Sequence, residues 1–178
     1  MNLLIKWVSK FNDTMLWLCK QLGIGFMGLM LVIVIIQVFF RYVLNDSLVW
    51  PEEVARFMMV WLTFLMAPIA YRLGSNVSLD MIYKKFKGRA LIILKILMEI
   101  ATLTTLYLLF DRSLGMVERG ARIKATSIDL QMNYVYFCMP LGLALTAAVN
   151  IEMLMQSFVQ LFKGDQEPGD LHPELSGE

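Results

Sequence analysis

Residues 41–80 read RYVLNDSLVWPEEVARFMMVWLTFLMAPIAYRLGSNVSLD. A short apolar run is framed by dense polar chemistry at both ends. Asn45, Asp46 and Ser47 form a turn signal. Pro51 then stands where a first helical residue is favoured, with Glu52 and Glu53 in the first turn, where carboxylates interact well with the helix dipole. Arg56 lies four residues after Glu52 and three after Glu53, the spacing of a helical ion pair. Between Arg56 and Arg72 lie 15 uncharged residues, 57–71, about 22 Å of helix. That is short for a bilayer core of about 30 Å, so the helix must run past both arginines, which snorkel to the two interfaces. The stretch therefore reads as the first hairpin of a membrane bundle.

The rest of the chain agrees. It has 178 residues, 58% of them hydrophobic, and a mean hydropathy of +0.61. Those values exclude an ordinary soluble domain. The net charge of +1 leaves no footprint for nucleic acid. The two cysteines, Cys19 and Cys138, lie in or near different apolar segments and define neither a disulfide framework nor a metal knuckle. The lone histidine, His172, is in the polar tail, which argues against haem or a histidine-bound metal inside the spans. No metalloprotease, nucleophile-elbow or phosphate-loop motif occurs, so neither catalytic residues nor a cofactor is expected.

Four spans are predicted, at about 21–41, 51–74, 89–111 and 130–152, within an all-α membrane domain over 21–162. Residues 1–20 are expected to form an amphipathic interfacial helix: Leu4, Trp7, Phe11, Met15 and Leu18 share one side, and Lys6, Ser9, Lys10 and Asp13 fall largely on the other. A cleaved signal peptide fits less well, because Asp13 interrupts the apolar run and no small-residue cleavage site follows. Gly23, Gly25 and Gly28 are candidates for close helix packing, and Pro68 and Pro140 for local bends. Residues 163–178 have the composition of a disordered tail. The segment 72–89 carries Arg72, Lys84, Lys85, Lys87 and Arg89 against one acid, Asp80, and a short loop this basic stays in the cytoplasm. The expected orientation puts both termini inside and residues 41–56 and 111–129 outside.

Three groups of residues are candidates for function. At the outer hairpin, Arg41 is placed to clamp a glutamate, Glu52 or Glu53, and so fix spans 1 and 2, while the glutamates' alternative is a coupling role. In span 3, Lys95 and Glu99 lie one helical turn apart, with Glu99 close to mid-span. An intramembrane carboxylate is a functional candidate by default, and an ion pair with Lys95 is its structural reading. The outer segment 111–129 offers Glu118, Arg119, Arg122 and Lys124, together with Asp46 of the first turn, as a docking surface for a soluble partner or as a plain solvated face.

The ordered run through Arg41, Tyr42, Asn45, Ser47, Leu48, Trp50, Glu52, Glu53, Ala55, Arg56, Trp61, Arg72 and Asp80 resembles the small membrane subunit of tripartite ATP-independent periplasmic (TRAP) transporters, the DctQ-like small permeases. The four-span layout and Pro140-Leu141-Gly142 in the last span also agree. Two departures are Asn76, where the family often has histidine, and Met66-Ala67-Pro68, where it often has glycine. The resemblance implies a bacterial inner-membrane protein, a heterodimer with a large permease that carries the moving substrate domain and sodium sites. It also implies a periplasmic binding protein that delivers an organic anion such as a C4-dicarboxylate, sialic acid or another carboxylate. The small subunit would scaffold the large one. The alternative is an autonomous small exporter driven by proton exchange at Glu99.

Overall fold

The computed structural model describes residues 2–46, 48–83 and 89–163, the side chains among them excepting 2–6, 75–83, 89–91, 160, 162 and 163. Ser47, most of the basic run 84–89 and the tail from 164 lie outside the described residues, as does the side chain of Asp80.

The described chain is largely helical: α1 (Asn2–Tyr42), α2 (Trp50–Tyr83), α3 (Arg89–Gly120), a short α4 (Met132–Tyr136) and α5 (Cys138–Lys163). Among the described residues, four segments are long and apolar enough to cross a membrane: Trp7–Tyr42, Trp50–Gly74, Ile92–Gly120 and Met132–Val159. Each of the four overlaps one of the predicted spans. The predicted boundary at residue 20 is not a break, since α1 is one helix of 41 residues. At 1.5 Å per residue it measures about 62 Å, twice a bilayer core. Its N-terminal part packs against the bundle through Asn12, Leu16 and Cys19, which are buried. The expected apolar stripe faces away from the protein, with Trp7 at 75% and Phe11 at 68% exposure.

Helix α5 is the hub. It packs along α3 and α2 and also touches α1, whose main partner is α2. Leu16, Val149 and Met153 form a buried apolar cluster joined by Ile69 and Tyr71. Higher up, Phe26 of α1 stacks on Trp61 of α2, with ring centroids 6.2 Å apart. The start of α1 and the end of α5 thus share one end of the bundle, the terminal end. The connections 43–49 and 121–131 share the other, the loop end.

Two prolines and a glycine explain how α5 sits. Pro140 has no N–H for the carbonyl of Tyr136, and the ladder is interrupted there: α4 stops at Tyr136 and α5 starts at Cys138, with Phe137 between them still in helical φ and ψ. Pro68 is buried within α2 and leaves the carbonyl of Phe64 without its helical donor. Gly142 of α5 meets that same carbonyl. A Cβ placed on Gly142 would lie 2.6 Å from the Phe64 oxygen and 2.8 Å from its Cβ. The bare Cα lets the two helices close, and a Cα–H···O contact lies within reach of the orphaned oxygen. Gly23 also faces α2, where a Cβ would overlap the end of Met66. Gly25 and Gly28, expected to do the same, have nothing within 4 Å of the place a Cβ would take, because helical rotation turns them outward.

Gly142→Val should separate α2 from α5 and destabilise the fold by about 1–3 kcal/mol. Thermal unfolding in detergent, followed by helical circular dichroism, checks this. Gly25→Ala is the matched control and should leave the transition in place.

Candidate functional site: two polar clusters in the membrane bundle

At the terminal end, the helices bring charged and amide side chains together. Arg72 of α2 ion-pairs with Asp13 of α1 and approaches Glu152 of α5, with Nη2 3.9 Å from Oε1. Glu152 is only 2% exposed. Its Oε2 accepts a hydrogen bond from Asn12 Nδ2 at 2.7 Å, and its Oε1 accepts one from Gln156 Nε2 at 3.2 Å. Asn12 also donates to the Ala148 carbonyl. Next to Arg72, the hydroxyl of Tyr71 accepts a bond from Asn150 Nδ2 at 2.7 Å. A buried carboxylate is tolerable only when its lone pairs are occupied and its charge is matched, and here three side chains from three helices do both.

Beside this network, Lys95 Nζ lies 3.9 Å from Glu99 Oε1, and Ser157 Oγ of α5 donates to the same oxygen at 3.1 Å. Glu99 is 4% exposed. Lys95 and Glu99 are thus paired as their spacing predicts, and α5 closes over them. Among the described residues, no group of three or more histidine, cysteine, aspartate or glutamate side chains is placed to hold a metal ion.

At the loop end the arrangement differs from the expected clamp. Glu52 pairs with Arg56 at 3.0 Å, and both side chains are exposed. Arg41 makes no ion pair among the described residues and instead lies over the ring of its neighbour Tyr42, 5.8 Å from the centroid. The reason is directional. Glu53 turns towards the connection after α3, where Oε1 accepts the N–H of Thr126 at 2.9 Å and Oε2 the N–H of Ser127 at 2.7 Å. Arg41, at the end of α1, has an aromatic face closer to hand. Asn45 takes a left-handed φ of 56°, a conformation open to asparagine, and Asp46 N–H returns to the Phe40 carbonyl at 3.2 Å. Trp50 opens α2, and Trp61 is the stacking partner of Phe26.

The segment after α3 folds as a small hairpin. Met132 N–H bonds to the Ile123 carbonyl and Ala125 N–H to that of Leu130, with Lys124 opposite Gln131. Gly120 lets the end of α3 close on α4, since a Cβ there would lie 2.6 Å from the Tyr136 ring and 3.0 Å from the Asn133 nitrogen. Of the docking candidates, Glu118, Arg119, Arg122 and Lys124 gather on the end of α3 and this hairpin, all exposed, with Lys124 paired to Asp129 at 2.6 Å. Asp46 is also exposed but belongs to the other connection.

The sequence reading missed Asn12, Asn150, Glu152 and Gln156. One signal was present: Glu152 directly follows the charge-free run 130–151, with Gln156 and Ser157 one turn and more beyond. Their burial needed the register of α5 against α1.

Comparison with known proteins identifies the class. The family described as tripartite ATP-independent periplasmic transporters, DctQ component, matches residues 30–160, and the chain belongs to it. The family is a transporter component, not an enzyme. Among individual relatives, a protein described as a putative TRAP transporter small permease protein in Haemophilus influenzae is 26% identical over 144 residues, covering 81% of this chain and 89% of that protein. The sialic acid TRAP transporter small permease protein SiaQ of Vibrio cholerae is 23% identical over 65% of this chain and 67% of its own length. The isethionate TRAP transporter permease protein DctMQ of Oleidesulfovibrio alaskensis is 29% identical over 67% of this chain, but only 20% of that longer protein is covered.

Arg72→Ala should cost roughly 2–4 kcal/mol, because it leaves Glu152 buried with amide donors but no cation. Arg72→Ala combined with Glu152→Gln should recover a measurable part of that loss. A double-mutant cycle on thermal unfolding in detergent reads the coupling directly.

Proposed function

We propose that this chain is the small scaffold subunit of a sodium-coupled importer of an organic anion. It works with a large permease that carries the substrate and sodium sites and with a periplasmic protein that delivers the substrate. The observation that carries the reading is the family match over residues 30–160, which takes in parts of all four spans. The polar chemistry supports a scaffold: Glu152 is engaged through both oxygens by side chains of the same chain, and Glu99 through Oε1, although its buried Oε2 has no hydrogen-bond partner among the described residues. The relative named DctMQ supports association with a larger permease, since the matched segment is a fifth of it. Two relatives are named for isethionate and sialic acid, both organic anions. Sialic acid is the first substrate to test.

The basic segment 72–89 supports a terminal end in the cytoplasm and a loop end in the periplasm of the inner membrane. The exposed Trp7, Phe11, Trp17 and Leu18 then serve as the lipid-facing side of the cytoplasmic part of α1. The exposed Arg119 and Arg122 belong to the periplasmic docking surface.

Sodium-driven uptake of radiolabelled substrate in proteoliposomes tests this. Uptake is expected only when this chain, the large permease and the soluble binding protein are all present. Uptake by this chain alone would overturn the reading and turn attention to Glu99. Reversing Arg119 and Arg122 to glutamate should raise the concentration of binding protein needed for half-maximal uptake, with a smaller effect at high salt.

A further inference from the structure

The contact between Glu53 and the hairpin after α3 has no part in packing the spans. It joins the first turn of α2 to residues 126 and 127, more than seventy positions away in sequence. The geometry is that of a two-point latch, with each carboxylate oxygen accepting one backbone N–H, at 2.9 and 2.7 Å. These N–H groups are consecutive and lie at the tip of the 123–132 hairpin, opposite the backbone bonds that close its base. Without Glu53 the tip has no other side chain holding these two donors among the described residues. Below the tip, Gly120 lets the end of α3 close on Asn133 and Tyr136 of α4.

The same hairpin and the helix end leading into it carry Arg119, Arg122 and Lys124. Lys124 is engaged by Asp129, whereas Arg119 and Arg122 make no ion pair among the described residues. Lys124 lies in the hairpin and Arg119 and Arg122 lead into it, so the tip held by Glu53 and these cations share one exposed end of the protein.

We propose that Glu53 is a positioning residue for partner docking: it holds the hairpin tip, and through it the cationic platform, in the shape that the soluble binding protein meets. This rests on the docking role given to Arg119 and Arg122 above. The carboxylate is the required group, since an amide presents one acceptor and would turn its NH2 towards the second N–H.

The test uses Glu53→Gln in the complete transporter in proteoliposomes, with two readouts. The first is the rate at which external trypsin cuts after Arg122 and Lys124. Losing one charge-assisted bond should raise it roughly three- to tenfold, in line with the larger open population of the tip. The second is the dependence of uptake on binding-protein concentration. The half-saturating concentration should rise by a similar factor, roughly three- to tenfold, while the rate at saturation stays unchanged. A defect in folding or assembly would instead lower the saturated rate and leave half-saturation where it was, which would overturn the proposal. Thr126→Pro deletes one donor while leaving Glu53 charged, and it must produce the same pair of changes. Unchanged trypsin cleavage in both variants would overturn the latch itself. Faster cleavage with unchanged half-saturation would overturn the positioning role, provided the Arg119→Glu, Arg122→Glu protein still shows weakened docking. If that protein docks normally, the docking reading fails and takes the positioning role with it, whatever the cleavage rate.

Discussion

Glu152 sets the strictest constraint on this bundle. A carboxylate with almost no exposure, on the helix that touches every other long helix, must be matched from within the protein. Asn12 and Gln156 occupy its oxygens and Arg72 supplies the charge. Those partners lie on α1, α2 and α5, so satisfying one side chain fixes the mutual register of three helices. Apolar side chains cannot do this in lipid, where the surroundings are as apolar as the interface itself. Polar contacts and close backbone approach take over, and both are present here: the Glu152 network at one end and Gly142 against the Phe64 carbonyl further up.

The proline positions extend the same logic. Pro68 and Pro140 each free a backbone carbonyl inside a membrane helix, which is costly unless something compensates. At Pro68, the neighbouring helix brings a glycine to the freed oxygen. At Pro140 the helical ladder is interrupted at Phe137, between α4 and α5, and Gly120 lets the end of α3 close on α4.

The charge pattern separates two kinds of ionisable group. Glu99 and Glu152 are buried and engaged by helices of the same chain. The loop-end cations are exposed, and Arg41, Arg119 and Arg122 are free of ion pairs among the described residues. Such a division suits a subunit whose interior is structural and whose chemistry towards others lies on its surface. It also fits membership of a transporter family.

Length and hydropathy determined the four spans, because about twenty apolar residues in succession have few other stable environments. The same local patterns determined the start of α2 next to Pro51, the turn at Asn45, the interruption before Pro140 and the Lys95–Glu99 pair. All of these act within a few residues along the chain. The order of motifs from Arg41 to Asp80 also determined the family. The tertiary structure alone decided which glycines pack, that Glu53 reaches Thr126 and Ser127 rather than Arg41, and that Arg72 answers both Asp13 and Glu152. Each of those contacts joins residues far apart in sequence. Their geometry depends on the rotation and register of one helix against another, and the identity of a side chain does not encode the direction in which its neighbours stand.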